Sequence, residues 1–308
     1  MYMKQTYHLC LSGNDEIMFR DEEDYHRGFN CFALALYETG STGLAEAIMA
    51  THIHQLVQTE HPKDHMHCFR RAYSTYFNHK YQRTGKLGEK THFTMEVVGF
   101  HHLLAALSYI LRNPLHHGVV PIPYAYSHCS ANTFFRKEMG KLYEEKTIPS
   151  NSYYKHIGRR AKFPDSYKMN ENGLFLRESV LDVPQVENLF VTPRSFNYYM
   201  TRKSSEEWEK EQMKDNNNRS PINIQAIENC NLCTDLNRML YYESGKSDYR
   251  RITDIELCTD MDNISRSRFN KHSVYQLSHT EKQILAEEYY RKHHLSESQI
   301  RRCLVFPK

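Results

Sequence analysis

No stretch of this 308-residue chain approaches the roughly 20 apolar residues that a membrane-spanning helix needs. The opening residues, MYMKQTYHLCLSGN, lack the long apolar region of a secretory signal, so a soluble, cytoplasmic protein is expected. No P-loop motif occurs, which weighs against a helicase-bearing enzyme. The net charge is only +3, which is compatible with nucleic acid but does not announce it. Of eight cysteines only Cys230 and Cys233 stand at ligand-like spacing. No second such pair completes the four ligands of a closed zinc site, so reduced, unrelated thiols are expected. Tryptophan occurs once, beside 22 tyrosines and 19 histidines. Imidazoles and phenols are therefore the chemistry in which the chain is rich.

What is present reads as alternating strands and helices. QTYHLCLSG alternates and ends in a turn, which predicts a strand. DEEDYHRGFNCFALALYETG opens with acids, carries apolar residues at helical spacing and stops at Gly40. EAIMATHIHQLVQ reads as the second strand, and DHMHCFRRAYSTYFNHKYQRTG as a second helix closed by Gly85. HFTMEVVG is a third strand, and FHHLLAALSYILRN a third helix ended by Pro114. This order predicts an α+β unit with helices packed on a sheet. The expected division is a first unit over 1–140, an extension over 141–202, a polar linker over 203–222 and a helical region over 223–308. In that last region two capping boxes, Ser278 with Glu281 and Ser296 with Gln299, predict a helix-turn-helix over about 277–305. A plain helical hairpin fits the same pattern.

Within the second predicted strand, His52 and His54 flank Ile53. Side chains two apart on a strand share a face, so both imidazoles can converge on one ligand. Neutral imidazoles bind divalent metals, and two leave positions open for water, a third ligand and a phosphate oxygen. Alone the pattern is weak in so histidine-rich a chain. Tyr109 and Asn113 stand four apart on the third predicted helix and so share a face. That face can bring an amide oxygen and a phenol to the histidine pair.

These features together resemble the single-tyrosine HUH transposases, and most closely the REP-associated branch. The histidine–hydrophobic–histidine pattern at His52-Ile53-His54 matches. YHLCLSGNDEIMFRDEEDYHRGF resembles the family's opening strand, turn and helix. YFNHKYQRTGKL resembles its basic, aromatic segment, and YILRNPLHHGVV its Tyr-Ile-x-x-Asn-Pro stretch. The matches keep their order over residues 5–122. Met49-Ala50-Thr51 stands where the family has Met-Pro-Asn, Gln55 interrupts the apolar residues after His54, and Ser12 replaces an arginine before the Gly-Asn turn.

The resemblance implies a ferredoxin-like antiparallel sheet with helices on it. It implies that His52, His54 and Asn113 hold Mg²⁺ or Mn²⁺, and that Tyr109 attacks a phosphodiester of single-stranded DNA. A 5′-phosphotyrosine link and a free 3′-hydroxyl result, and the retained ester energy allows strands to be rejoined. The implied partner is single-stranded DNA at the hairpin ends of a mobile or repeat element. The active form is a monomer or, as in related insertion-sequence enzymes, a homodimer. Lys80, Arg83 and Lys86 are expected on DNA phosphates, and Gln299, Arg301 and Arg302 in the helix-turn-helix. A solvated helix face explains the same basic residues. The competing readings are a domesticated, non-cleaving DNA-binding protein and an HUH nickase or replication initiator.

Overall fold

The structure is a computed structural model that describes residues 4–13, 16–141, 145–201, 210–215, 252–293 and 295–306. Four strands, β1 (Gln5–Ser12), β2 (Thr42–Met49), β3 (His52–Thr59) and β4 (Phe93–Val97), form one sheet in the order β2-β3-β1-β4. Every neighbouring pair is antiparallel. Helix α1 (Glu22–Glu38) joins β1 to β2, α2 (Pro62–Tyr81) joins β3 to β4, and α3 (Phe100–Leu111) follows β4. The α+β expectation thus holds in its coarse form.

The expected second strand is in fact a hairpin that turns at Ala50 and Thr51. Neither residue is a turn former, and the support comes from elsewhere in the chain. Ala50 O accepts from Met18 N at 2.8 Å and Phe19 N at 3.0 Å, and Thr51 O accepts from Gly13 N at 2.7 Å. Gly13, Met18 and Phe19 therefore hold the turn that delivers His52.

The two faces of the sheet carry different chemistry. His52 lies opposite Ser12 and His54 opposite Cys10, so these four share a face, with His8 two residues along from Cys10. Helix α3 covers that face and brings the Tyr109 ring to 5.4 Å from the His54 ring. The opposite face carries Leu9, Leu11, Ile53 and Val57 and meets α1 and α2. Gln55 faces that way, and its Oε1 pairs with His65 Nε2 of α2 at 2.9 Å. Its polarity interrupts the apolar run without touching the histidine face. Helix α1 begins on Asp21, whose carboxylate accepts from Asp24 N at 3.0 Å. Helix α2 begins with Pro62, and Gln82, in the left-handed conformation, ends it three residues before Gly85.

After α3 the first unit continues in the turn α4 (Asn113–His116), and the extension is a set of short helices: α5 (Tyr154–Ile157), α6 (Arg177–Val180), α7 (Val183–Phe190) and α8 (Pro193–Thr201). The outer edge of β2 is covered from both, by a bridge from Ala47 to Cys129 and one from Gly43 to Leu181 of the extension. A side chain at Gly43 would meet Leu36 and Leu181, so glycine permits this approach.

The C-terminal helices are α9 (Asp254–Phe269), α10 (His279–His293) and α11 (Glu297–Cys303). The first predicted capping box is present: Glu281 N donates to Ser278 Oγ and Ser278 N to Glu281 Oε2. The second is half made. Gln299 N donates to Ser296 Oγ, but the Gln299 side chain turns to Ile252 O and Asp254. The core of these helices, Leu257, Met261, Leu285, Tyr289 and Ile300, also takes in Ile17 and Ala50. They are docked on the first unit, not tethered beside it. No helix among the described residues is long and apolar enough to cross a membrane. The Cys230–Cys233 pair and most of the expected linker lie outside the described residues.

Candidate functional site

The site forms where β1, β3 and the end of α3 meet. His52 and His54 are fully buried, their ring centroids 5.0 Å apart and nearly perpendicular. His52 Nε2 lies 3.1 Å from Asn113 Oδ1, and its Nδ1 lies 3.0 Å from Thr51 Oγ1. Asn113 is not on α3 as expected. The helix stops at Leu111, because Pro114 has no N–H to continue the ladder, and Asn113 opens the separate turn α4. The kink still aims its amide at His52.

Burial sets the charge state. Desolvation lowers His8 to about 3 and His52 to about 4, in the latter case against a hydrogen bond to Asn113 that opposes the shift. His54 is held well below its ordinary value by burial and by the neighbouring imidazoles. All three are therefore neutral at pH 7 and carry one lone pair each.

Two tautomers are open to each ring, and they differ in what they offer. With the proton on Nε2, His52 donates to Asn113 Oδ1. With the proton on Nδ1 it donates to Thr51 Oγ1 and frees the Nε2 lone pair beside the amide oxygen. His54 behaves in the same way. Its Nδ1 lies 2.9 Å from His8 Nε2, and its Nε2 is buried without a hydrogen-bond partner among the described residues. When His54 Nδ1–H donates to His8, the bare nitrogen of His54 points into the site.

His8 is a site residue that the sequence reading missed. Its signal was present in the pattern His8, Cys10, Ser12, one face of a strand paired to the histidine strand. His116 and His117 were missed too. The His117 ring lies 5.2 Å from His52, and the His116 ring 6.2 Å from Tyr109. Tyr109 is itself buried, 5.4 Å from the His54 ring and 5.9 Å from that of His8.

Two neutral imidazoles and an amide oxygen make a donor set that fits one divalent cation. Among the described residues His54 Nε2 and the buried Asn113 Nδ2 have no hydrogen-bond partner, so the polar groups here are not closed on one another. Imidazole donors suit Mn²⁺ better than Mg²⁺, which favours oxygen. Among the described residues no three His, Cys, Asp or Glu side chains converge as a cation site, so Asn113 is needed to make a third ligand.

The basic residues expected on DNA lie in unlike settings. Lys80 Nζ is ringed by Asp21 at 2.6 Å and by Glu23 and Asp24 at 3.0 Å. Arg83 pairs with Glu16 at 2.9 Å, and Lys86 is exposed. Gln299 and Arg302 are buried on Asp254, with Arg302 Nε 3.0 Å from Asp254 Oδ2. They tie α11 to α9 and leave Arg301 as the exposed cation among the three.

No protein-family model matches the chain, and no curated protein does. One solved structure, described as the REP-associated tyrosine transposase bound to a REP hairpin, is similar over 46% of this chain and 84% of that chain. The identity is 13% and the TM-score 0.37. A likeness at that level carries no argument about fold or activity, and the functional reading rests on the residues themselves.

Proposed function

We propose that the chain is a transposase of the HUH type, which nicks and rejoins single-stranded DNA through Tyr109. The observation that carries this reading is the convergence on one sheet face: Tyr109 5.4 Å from His54, and Asn113 Oδ1 3.1 Å from His52. A strand order of β2-β3-β1-β4 with α1 and α2 between strands supports a ferredoxin-like reading of the sheet.

In this reading His52, His54 and Asn113 hold a divalent cation, Mn²⁺ or Mg²⁺. When bound, that ion would polarise the scissile phosphate. The Tyr109 phenol oxygen forms the new bond to phosphorus, and the bond to the 3′ oxygen breaks. The phenol proton ends on the departing 3′ oxygen, which leaves as a hydroxyl. The protein keeps the 5′-phosphate as an aryl ester, so a DNA 3′-hydroxyl can reverse the step. His8 orients His54 through the 2.9 Å hydrogen bond and, when it accepts from His54 Nδ1–H, leaves His54 Nε2 bare toward the cation. Enclosure of Tyr109 by α3 and the sheet keeps it in one orientation, which supplies much of the remaining advantage. Lys86 and Arg301 are the exposed cations of the expected set that would meet DNA phosphates; Arg83 would do so only by releasing Glu16.

The test is to incubate the protein with labelled single-stranded hairpin oligonucleotides and Mn²⁺ and to look for DNA attached to protein in a denaturing gel. An adduct that disappears in Tyr109→Phe supports the reading. A second reading, DNA binding without cutting, draws on the lack, among the described residues, of a group of three His, Cys, Asp or Glu side chains that could hold a metal ion. Tight hairpin binding with no adduct on any end sequence would favour it.

A further inference from the structure

A cavity of about 420 Å³ opens between the first unit and the extension, away from the histidine site. Its walls come from His26 and residues between 124 and 136 on one side and from Lys141, Glu145 and residues between 170 and 178 on the other, so the extension is required to form it. That volume suits a ligand the size of one mononucleotide.

Its charged groups divide into those already matched and one that is not. Arg136 pairs with Glu178 at 2.7 Å, and Arg177 with the buried Glu46 at 2.5 Å. Glu145 accepts from Asn170 Nδ2 at 2.8 Å and lies 3.9 Å from Arg136. Lys141 has no carboxylate paired with it among the described residues. Its ammonium contacts Asn132 Oδ1 and sits 5.4 Å from the centroid of the Tyr124 ring. Burial and the like charge of Arg136 both lower its pKa, and an arriving anion would relieve the second of these.

The neutral lining is equally selective. Tyr124 supplies aromatic surface, and Ser127, Thr133 and Asn172 line the cavity with side chains that make no hydrogen bond among the described residues. An anion anchor, aromatic surface and unclaimed polar groups together match phosphate, base face and base edge. We propose that this cavity binds one unstacked nucleotide unit, its phosphate on Lys141 and its base against Tyr124. The proposal deepens the reading above, because a single strand would present such a unit. A free deoxynucleoside monophosphate carries the same chemistry, and the two sources are separable.

The full-length chain is titrated calorimetrically with deoxynucleoside monophosphates and with inorganic phosphate, and by fluorescence anisotropy with a labelled single strand. The monophosphates bind more tightly than phosphate. Lys141→Glu weakens monophosphate and strand by on the order of tenfold with the thermal midpoint unchanged, as loss of a charged hydrogen bond predicts. Tyr124→Leu weakens the monophosphate and spares phosphate, and His52→Ala leaves the monophosphate titration unchanged. Strand binding affected by Lys141→Glu with no free-monophosphate binding assigns the cavity to DNA alone and supports the proposal. Phosphate binding as tight as monophosphate, or a strand affinity indifferent to Lys141→Glu, overturns it. If Tyr109 forms no adduct but the Lys141-dependent titration persists, the strand-cutting reading falls and the cavity stands. A normal adduct with neither ligand sensitive to Lys141 gives the reverse result.

Discussion

Two buried polar clusters touch the Ala50–Thr51 turn, and they follow opposite rules. On one side Arg20 is fully buried, its Nε 3.0 Å from Asp262 and its Nη1 3.0 Å from Cys303 O, between the rings of Tyr81 and Tyr275. Asp262 in turn accepts from Val274 N at 3.0 Å. On the other side His8, His52, His54 and Asn113 are just as buried but neutral, and His8 Nδ1, His54 Nε2 and Asn113 Nδ2 meet no partner among the described residues. The charged cluster holds its charge against a counter-charge, with Arg20 Nη2 left without a hydrogen-bond partner among the described residues, and it joins the C-terminal helices to the first unit. The imidazole cluster is left open, as a site that exchanges a hydrogen bond for a ligand must be. Burial alone does not separate the two kinds of polarity; a buried charge locked to its counter-charge ties elements together, whereas neutral rings with bare nitrogens leave room for a ligand.

That contrast can be broken first with pH. His8 and His52 in the site, and His65 on the far side of the sheet, have folded-state pKa values of about 3, 4 and 4. The unfolded chain takes up protons below about 6.5, where the folded chain does not. Stability is therefore full above that pH, falls as pH drops, and levels only below the folded values. At pH 5 the loss is about 2 kcal/mol for each imidazole, on the order of 6 for the three. Urea unfolding of the metal-free protein at pH 7 and pH 5 measures it, and equal stabilities would contradict the neutral assignment.

Next in size is Asp262→Ala, which strands a buried guanidinium. It is expected to cost about 3–5 kcal/mol and to lower the thermal midpoint by about 10 °C. Replacing both partners, Arg20→Met with Asp262→Leu, should recover most of that loss. If the single and double variants melt alike, the pair is not what holds the C-terminal helices.

His8→Leu sharpens the other half of the comparison. It removes an incompletely partnered polar group at similar volume, so stability should change by less than about 1.5 kcal/mol. Mn²⁺ affinity, read by electron paramagnetic resonance, should fall about 10–100-fold through loss of the group that orients His54. Unchanged affinity would leave His8 without a role. The smallest effect is expected at exposed Lys86. Lys86→Ala should leave stability within about 0.5 kcal/mol and reduce the salt slope of single-strand binding by about one.

How far the sequence was legible follows from where each signal is stored. Strands β1 and β4 and helices α1, α2 and α3 were legible because their apolar periodicity and end signals are local. The β2–β3 turn was not, because Ala50 and Thr51 carry no turn chemistry and Gly13, Met18 and Phe19 supply the hydrogen bonds. His52, His54 and Tyr109 were legible as one motif set and do come together. His8 was not, since only strand register brings it to His54. Gln299 and Arg302 look like surface groups in a capping-box helix, and only the position of Asp254 on α9 turns them inward. The role of the extension was invisible because its contacts are with the β2 edge, far away in sequence.

The central claim is that a tyrosine beside an open imidazole cluster takes DNA covalently. The most direct measurement is mass spectrometry of the protein after reaction with single-stranded hairpin oligonucleotides and Mn²⁺. The account predicts a nucleotide-bearing peptide containing Tyr109, lost in Tyr109→Phe and in His52→Ala. An adduct mapped to another residue, or one that forms undiminished in Tyr109→Phe, would contradict it.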